Sequence, residues 1–189
     1  MTAVAVSHVK GGVGKTTFTY GLALECAGRG RSVELIDRDR NNTSLSKLVA
    51  ASTMPPGVWL RNGRVVPADV TLADCPPAID DVNVSAIAEA DVLIVPAIPE
   101  RLVLDVLVDM LTMIKLVQQQ NPTLRVALVP NLVRQQWPAH AAFMSVMAEL
   151  AQEHRVPVLA PVPSRQAIML GDWHSRPLRH VADWVLDGV

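Results

Sequence analysis

The sequence predicts an α/β protein: one mostly parallel, twisted sheet with helices on both faces, spanning residues 1–189 as a single domain. Three observations predict it. Short apolar, β-branched runs alternate with helical stretches along the whole chain, the pattern of successive right-handed crossovers. Half of the residues are hydrophobic but only 4% are aromatic, so the core is filled by Val, Leu, Ala and Ile, as in a parallel sheet covered on both sides. The first apolar run also ends directly in a glycine-rich loop that opens a helix, a junction that α/β sheets place at the carboxyl ends of their strands.

The elements follow in order. Residues 2–7 (TAVAVS) form a strand, and residues 16–27 a helix that stops at Gly28 and Gly30. Residues 32–37 (SVELID) are the second strand, and 43–51 a short helix capped by Asn42 or Thr43. Asn62-Gly63, between Val58-Trp59-Leu60 and Val65-Val66, carries a two-residue hairpin signal, so a small antiparallel excursion is expected there. Residues 69–74 (DVTLAD) are a third core strand, ended by Cys75-Pro76-Pro77, and 82–89 read as helix. A near-continuous apolar strand over 91–96 leads into a long amphipathic helix over 101–119 that ends at Asn121-Pro122. A strand over 124–129, a helix over 138–154 and a last strand over 156–162 follow, with short helices starting at Ser164 and Leu178.

Composition narrows the class. Cys26 and Cys75 make neither a disulfide framework nor a metal set, and are expected to be reduced thiols. No signal peptide is visible, and no apolar run approaches the ~20 residues of a membrane span, so a cytoplasmic protein is expected. The net charge of −1 argues against a surface uniformly suited to nucleic acid. Arg155, Arg165, Arg176 and Arg179 crowd the last third, either as an ordinary solvated surface or as a local basic patch.

The central motif is Lys10-Gly11-Gly12-Val13-Gly14-Lys15-Thr16-Thr17 between a strand and a helix. Its glycines let successive backbone N–H groups turn into one concavity that holds a phosphate. The helix that follows adds its positive N-terminal end. Lys15 is placed to reach the β- and γ-phosphates of a nucleoside triphosphate, and the Thr16 hydroxyl to bind Mg²⁺. The general phosphate-loop pattern would require glycine at position 9, where this chain has Val9, and Lys10 is a second lysine at the front of the loop.

Those residues resemble the deviant Walker A motif, KGGxGKT[ST], of the ParA/MinD superfamily, and later motifs follow in that family's order. The resemblance implies an ATP hydrolase that uses Mg²⁺ and closes as an ATP-dependent homodimer, with Lys10 reaching the partner's nucleotide. Lys10, Lys15 and Asp39 are then the catalytic residues. Ile36-Asp37-Arg38-Asp39-Arg40 resembles the family's D-x-D-P-Q strand end without its Pro-Gln. Asp37 then organises Mg²⁺ through water, and Asp39 orients the attacking water. Two carboxylates two apart at a strand end point to one side. Leu72-Ala73-Asp74-Cys75-Pro76-Pro77 resembles the Walker B strand, so Asp74 joins Thr16 and Asp37 around the metal. The family places adenine contacts near Asn131 and in the Pro161-Val162-Pro163-Ser164 loop, with Pro163 lining the base.

The length and missing N-terminal helix-turn-helix resemble small ParA proteins, which position plasmids, chromosomes or other cargo on non-specifically bound DNA. An adaptor protein, ParB-like or cargo-specific, stimulates their hydrolysis. Arg165, Arg176 and Arg179 are the expected DNA contacts, in a protein that is nucleoid-associated when bound to ATP. Two alternatives stay open: a MinD-like membrane-cycling regulator, against which the acidic C-terminal segment counts, and a metabolic ATP-dependent synthase.

Overall fold

The computed structural model describes residues 1–64, 66–78, 80–134, 136–164 and 178–187. Its strands are β1 (Thr2–Val6), β2 (Val33–Asp37), β3 (Val58–Leu60), β4 (Val70–Asp74), β5 (Val92–Ala97) and β6 (Arg125–Pro130). Its helices are α1 (Lys15–Ala27), α2 (Ser44–Ala50), α3 (Asp81–Ala88), α4 (Arg101–Gln120), α5 (Pro138–His154) and α6 (Arg179–Leu186). The strands form one sheet in the order β3-β2-β4-β1-β5-β6, and every pairing is parallel.

Alternation along each strand divides the core between two layers. On one face Ala5, Leu93, Val95, Val126 and Leu128 pack under α3, α4 and α5. On the other, Val4, Val6, Leu35, Leu72 and Ile94 pack under α1, α2 and α6. The two inner residues of β5, Leu93 and Ile94, therefore serve opposite layers although they are neighbours in sequence. The apolar face of α6 (Val181, Ala182, Val185) is used up in the second layer. Arg29, at the end of α1, ties it down by donating to Asp183 and to the Arg179 carbonyl.

Two expectations are corrected. Val58-Trp59-Leu60 is not one arm of a hairpin: it pairs parallel with β2 as the edge strand. Gly63 does take a positive φ of 88°, but Val66 beyond it lies outside any strand, so the local Asn-Gly turn signal lost to pairing with a distant strand. The expected last strand over 156–162 is reduced to isolated parallel bridges, Leu128 with Val158 and Val133 with Pro163. Pro157, Pro161 and Pro163 lack the N–H that a ladder needs. The helix expected from Ser164 falls outside the described residues. Cys26 and Cys75 are both free and buried, as expected, and burial pushes their thiols up to about 11 and about 12.

Candidate functional site

Register brings the predicted strand ends together. Asp74, the last residue of β4, pairs with Val6 of β1 on one side and Asp37 of β2 on the other. The glycine-rich loop begins at Lys10, four residues beyond the end of β1 at Val6, and passes through Gly14 into α1. Gly14 has a φ of 87°, and a Cβ there would lie 2.8 Å from Asn131 Nδ2, so both conformation and space require glycine. Asn131, at the end of β6, donates to the Val13 carbonyl at 2.9 Å and accepts from Leu132 N. The polar atoms of Asn131 thus hold the loop in shape. Val13 itself is fully buried, and Gly11 lies against Pro77 of the β4–α3 loop.

Lys15, Thr16 and Asp74 meet under the loop. Thr16 Oγ1 donates to Asp74 Oδ2 at 2.6 Å, and Asp74 is 2% exposed. Burial first, then the like charges of Asp37 and Asp39, raise the Asp74 carboxyl to about 6, against the pull of Thr16 and Lys15. Its second oxygen, Oδ1, is buried with no partner among the described residues. A buried carboxylate oxygen left unpaired beside a threonine hydroxyl fits a hydrated Mg²⁺, so the residues present suit the metal the motif implies. Lys15 is nearly as buried and its pKa is lowered, chiefly by burial and against Asp74. Its ammonium donates to the Lys10 carbonyl at 3.2 Å.

Asp37 and Asp39 build the turn after β2. Asp37 accepts from Ser46 N and Oγ and from Asp39 N, which fixes the start of α2. Asp39 Oδ1 accepts from the backbone N–H of Asn41 and Asn42. Lys10, at the front of the loop, donates to Glu100 Oε2 at 2.7 Å, just ahead of α4. Gly12 and Thr17 are exposed beside it. Val133 bridges to Pro163, so the two loops expected to flank a base do lie side by side. Arg179 is exposed at the start of α6, on the side fastened to α1. Arg165 and Arg176 lie outside the described residues.

Four residues of this region were not singled out by sequence. Glu100 and Ser46 hold Lys10 and Asp37 across gaps that no local pattern reveals. Asn83, fully buried, accepts from Ser7 Oγ at 2.8 Å and donates to the Pro76 and Ala78 carbonyls, joining β1 to the Pro76-Pro77 loop. His8, also fully buried, accepts from the Lys10 N–H at 3.0 Å. A polar residue placed just before a glycine-rich loop was the only signal for it.

A parallel sheet with a phosphate-type loop after β1, and acidic residues at the ends of β2 and β4, defines a nucleotide-binding protein of the deviant Walker kind. The chain belongs to the CobQ/CobB/MinD/ParA nucleotide-binding domain family, whose model it matches over residues 4–175. It is 28% identical over 179 residues to the maintenance of carboxysome distribution protein A of Halothiobacillus neapolitanus, covering 87% of this chain and 80% of that protein. The Gloeobacter kilaueensis protein of the same name is 36% identical over 118 residues, 56% of this chain and 53% of that one. Among solved structures, a Cyanothece McdA variant in complex with ATP superposes with a TM-score of 0.79 at 15% identity, covering 99% of this chain and 96% of that one. Cobyrinic acid a,c-diamide synthase of Mycobacterium smegmatis, with ADP and magnesium, gives 0.79 at 24% identity over 98% and 94%. At these identities the structural likenesses carry the fold.

Proposed function

We propose that this chain is a Mg²⁺-dependent ATPase of the ParA positioning type, built as one domain over residues 1–189. ATP closes it into a homodimer that binds DNA without sequence preference, and an adaptor protein on the cargo releases it by stimulating hydrolysis. The observation that carries the nucleotide chemistry is the cluster under the loop: Lys15, Thr16 and the half-satisfied Asp74 side by side. The carboxysome distribution relative, aligned over most of both chains, supports a protein organelle as the kind of cargo.

The residues divide the work. Backbone N–H groups from Gly11 to Thr17 cradle the phosphates, and Lys15 exchanges its carbonyl partner for phosphate oxygens. Thr16, Asp74 and Asp37 would hold Mg²⁺, which would supply positive charge against the phosphate oxygens. Asp39 orients the attacking water, and Lys10 leaves Glu100 to reach the partner subunit's nucleotide. The loops at Asn131 and Pro163 flank the base. Arg179, with Arg165 and Arg176, contacts DNA phosphates, and the ATP-bound dimer is therefore nucleoid-associated.

The direct test is a mobility shift on random-sequence duplex at low salt. Binding that appears only with ATP and Mg²⁺, and falls steeply with added salt, is the expected result. No gain with ATP would overturn the DNA-scaffold reading. Turnover that depends on a small carboxylic acid and ignores DNA would put a synthase in its place, and sedimentation with liposomes would favour a membrane-cycling regulator.

A further inference from the structure

We infer that His8 is a positioning residue of the phosphate loop: its imidazole, acting through Nδ1, holds the backbone entering Lys10 and so helps place the next carbonyl, on which Lys15 waits. This inference rests on the nucleotide-binding reading of the loop.

His8 lies beyond the end of β1, with its side chain entirely inside the protein. Nδ1 accepts the Lys10 N–H at 3.0 Å, so Nδ1 carries no proton and, in a neutral ring, Nε2 does. Nε2 is buried and meets no partner among the described residues, which leaves the Lys10 contact as the ring's hydrogen bond. A histidine kept only for packing would not be expected to spend its one acceptor on the amide of the loop's signature lysine.

The consequence passes through the backbone of one residue, Lys10, whose N–H and carbonyl lie on the two peptide units that flank its Cα. Lys10 N–H is fixed by His8, the Lys10 carbonyl receives Lys15 Nζ at 3.2 Å, and the Lys10 side chain is held by Glu100. Because the N–H, carbonyl and side chain of Lys10 meet at one Cα, a shift of the backbone there would disturb both lysines at once. The ring must also stay neutral to do this. Burial, with the nearby charges of Lys15 and Lys10, lowers the His8 pKa from 6.5 to about 4. A protonated ring would lose its acceptor and place a third positive charge beside two ammonium groups.

Side-chain geometry supplies a discriminating pair of variants. The Asn Oδ1 stands as far from Cβ as the His Nδ1, so His8→Asn retains an acceptor at the same place. His8→Leu removes it and leaves the Lys10 N–H unpaired in a partly buried site, worth about tenfold in affinity. Binding of a fluorescent ATP analogue with Mg²⁺ should therefore weaken about tenfold or more in His8→Leu and stay within about threefold of the unsubstituted protein in His8→Asn. Equal losses in the two variants, or none in His8→Leu, would overturn the inference. If His8→Leu does not fold, long-range ¹⁵N–¹H spectra of the unsubstituted protein decide it. A neutral ring with its proton on Nε2 from pH 5.5 to 8 is expected, and an Nδ1–H tautomer or a titrating ring overturns it. Failure of the unsubstituted protein to bind the analogue would count against the nucleotide reading instead, and leaves the tautomer test standing.

Discussion

Replacing Asp74 by asparagine should make the nucleotide-free protein more stable while removing its function. Asp74 is 2% exposed and its carboxyl is raised from 3.8 to about 6, mainly by burial. A pKa raised by folding means that stability is fully present below about pH 4 and is lost as pH climbs through about 6. Each pKa unit is worth ~1.4 kcal/mol, so ionised Asp74 costs the fold about 3 kcal/mol at pH 7.5. Asparagine removes that charge and its repulsion from Asp37 and Asp39, and its carbonyl still accepts from Thr16. Its buried NH₂ group takes the position of the unpaired Oδ1, which offsets about 1–2 kcal/mol of the gain. The net is a stabilisation of about 1–2 kcal/mol, or roughly 2–8 °C in Tm for a chain of this size. Scanning calorimetry of both proteins in EDTA at pH 7.5 and pH 4 measures it. The gain should be present at pH 7.5 and reversed at pH 4, where protonated Asp74 no longer carries the charge cost and only the loss of about 1–2 kcal/mol from the buried amide remains, and Mg²⁺-dependent nucleotide binding should be lost at both. If the Asp74→Asn variant melts lower at pH 7.5, or still binds Mg·ATP with full affinity, Asp74 is not a buried carboxylate kept for the metal.

Three further predictions concern other parts of the fold. Arg61→Ala strands Glu34, which is 1% exposed and paired with Arg61 through both oxygens. Urea unfolding should show a loss of about 2–3 kcal/mol, less than for a fully buried pair because water reaches Arg61, and a change under ~0.5 kcal/mol would contradict it. Gly14→Ala forces a β-carbon to 2.8 Å from Asn131 Nδ2 at a φ of 87°, and should weaken binding of a fluorescent ATP analogue by at least about tenfold. Unchanged affinity would mean that the loop is not held as described. Lys15→Ala should abolish that binding without lowering Tm, because it deletes a buried ammonium whose pKa burial already depresses.

Much of the site was legible because its parts are contiguous and constrained. The phosphate loop, the Asp37-Arg38-Asp39 turn and the Asp74 strand end are local patterns, and parallel register alone brings Asp37 beside Asp74. The edge of the sheet was not legible. Asn62-Gly63 carries a turn preference, but β3 is decided by Leu35 and Val33, more than twenty residues away, through the Arg61 N–H to Leu35 O bond and its neighbours. The Glu34–Arg61 pair that accompanies this edge has no sequence signature. Residues 156–162 looked like a strand by hydrophobicity, yet their prolines remove the donors a ladder needs. The supports of the site, from Glu100, Asn83, Ser46 and His8, depend on distances that only the folded chain sets.

Above all, nucleotide is proposed to drive assembly through Lys10, and Asp39 to end it. Light scattering on Asp39→Ala with Mg·ATP puts both roles to the test at once. A stable species of twice the 20.4 kDa monomer mass is expected, returning to monomer when Lys10→Ala is added. A monomer with and without ATP, or a dimer indifferent to both nucleotide and Lys10, would contradict it.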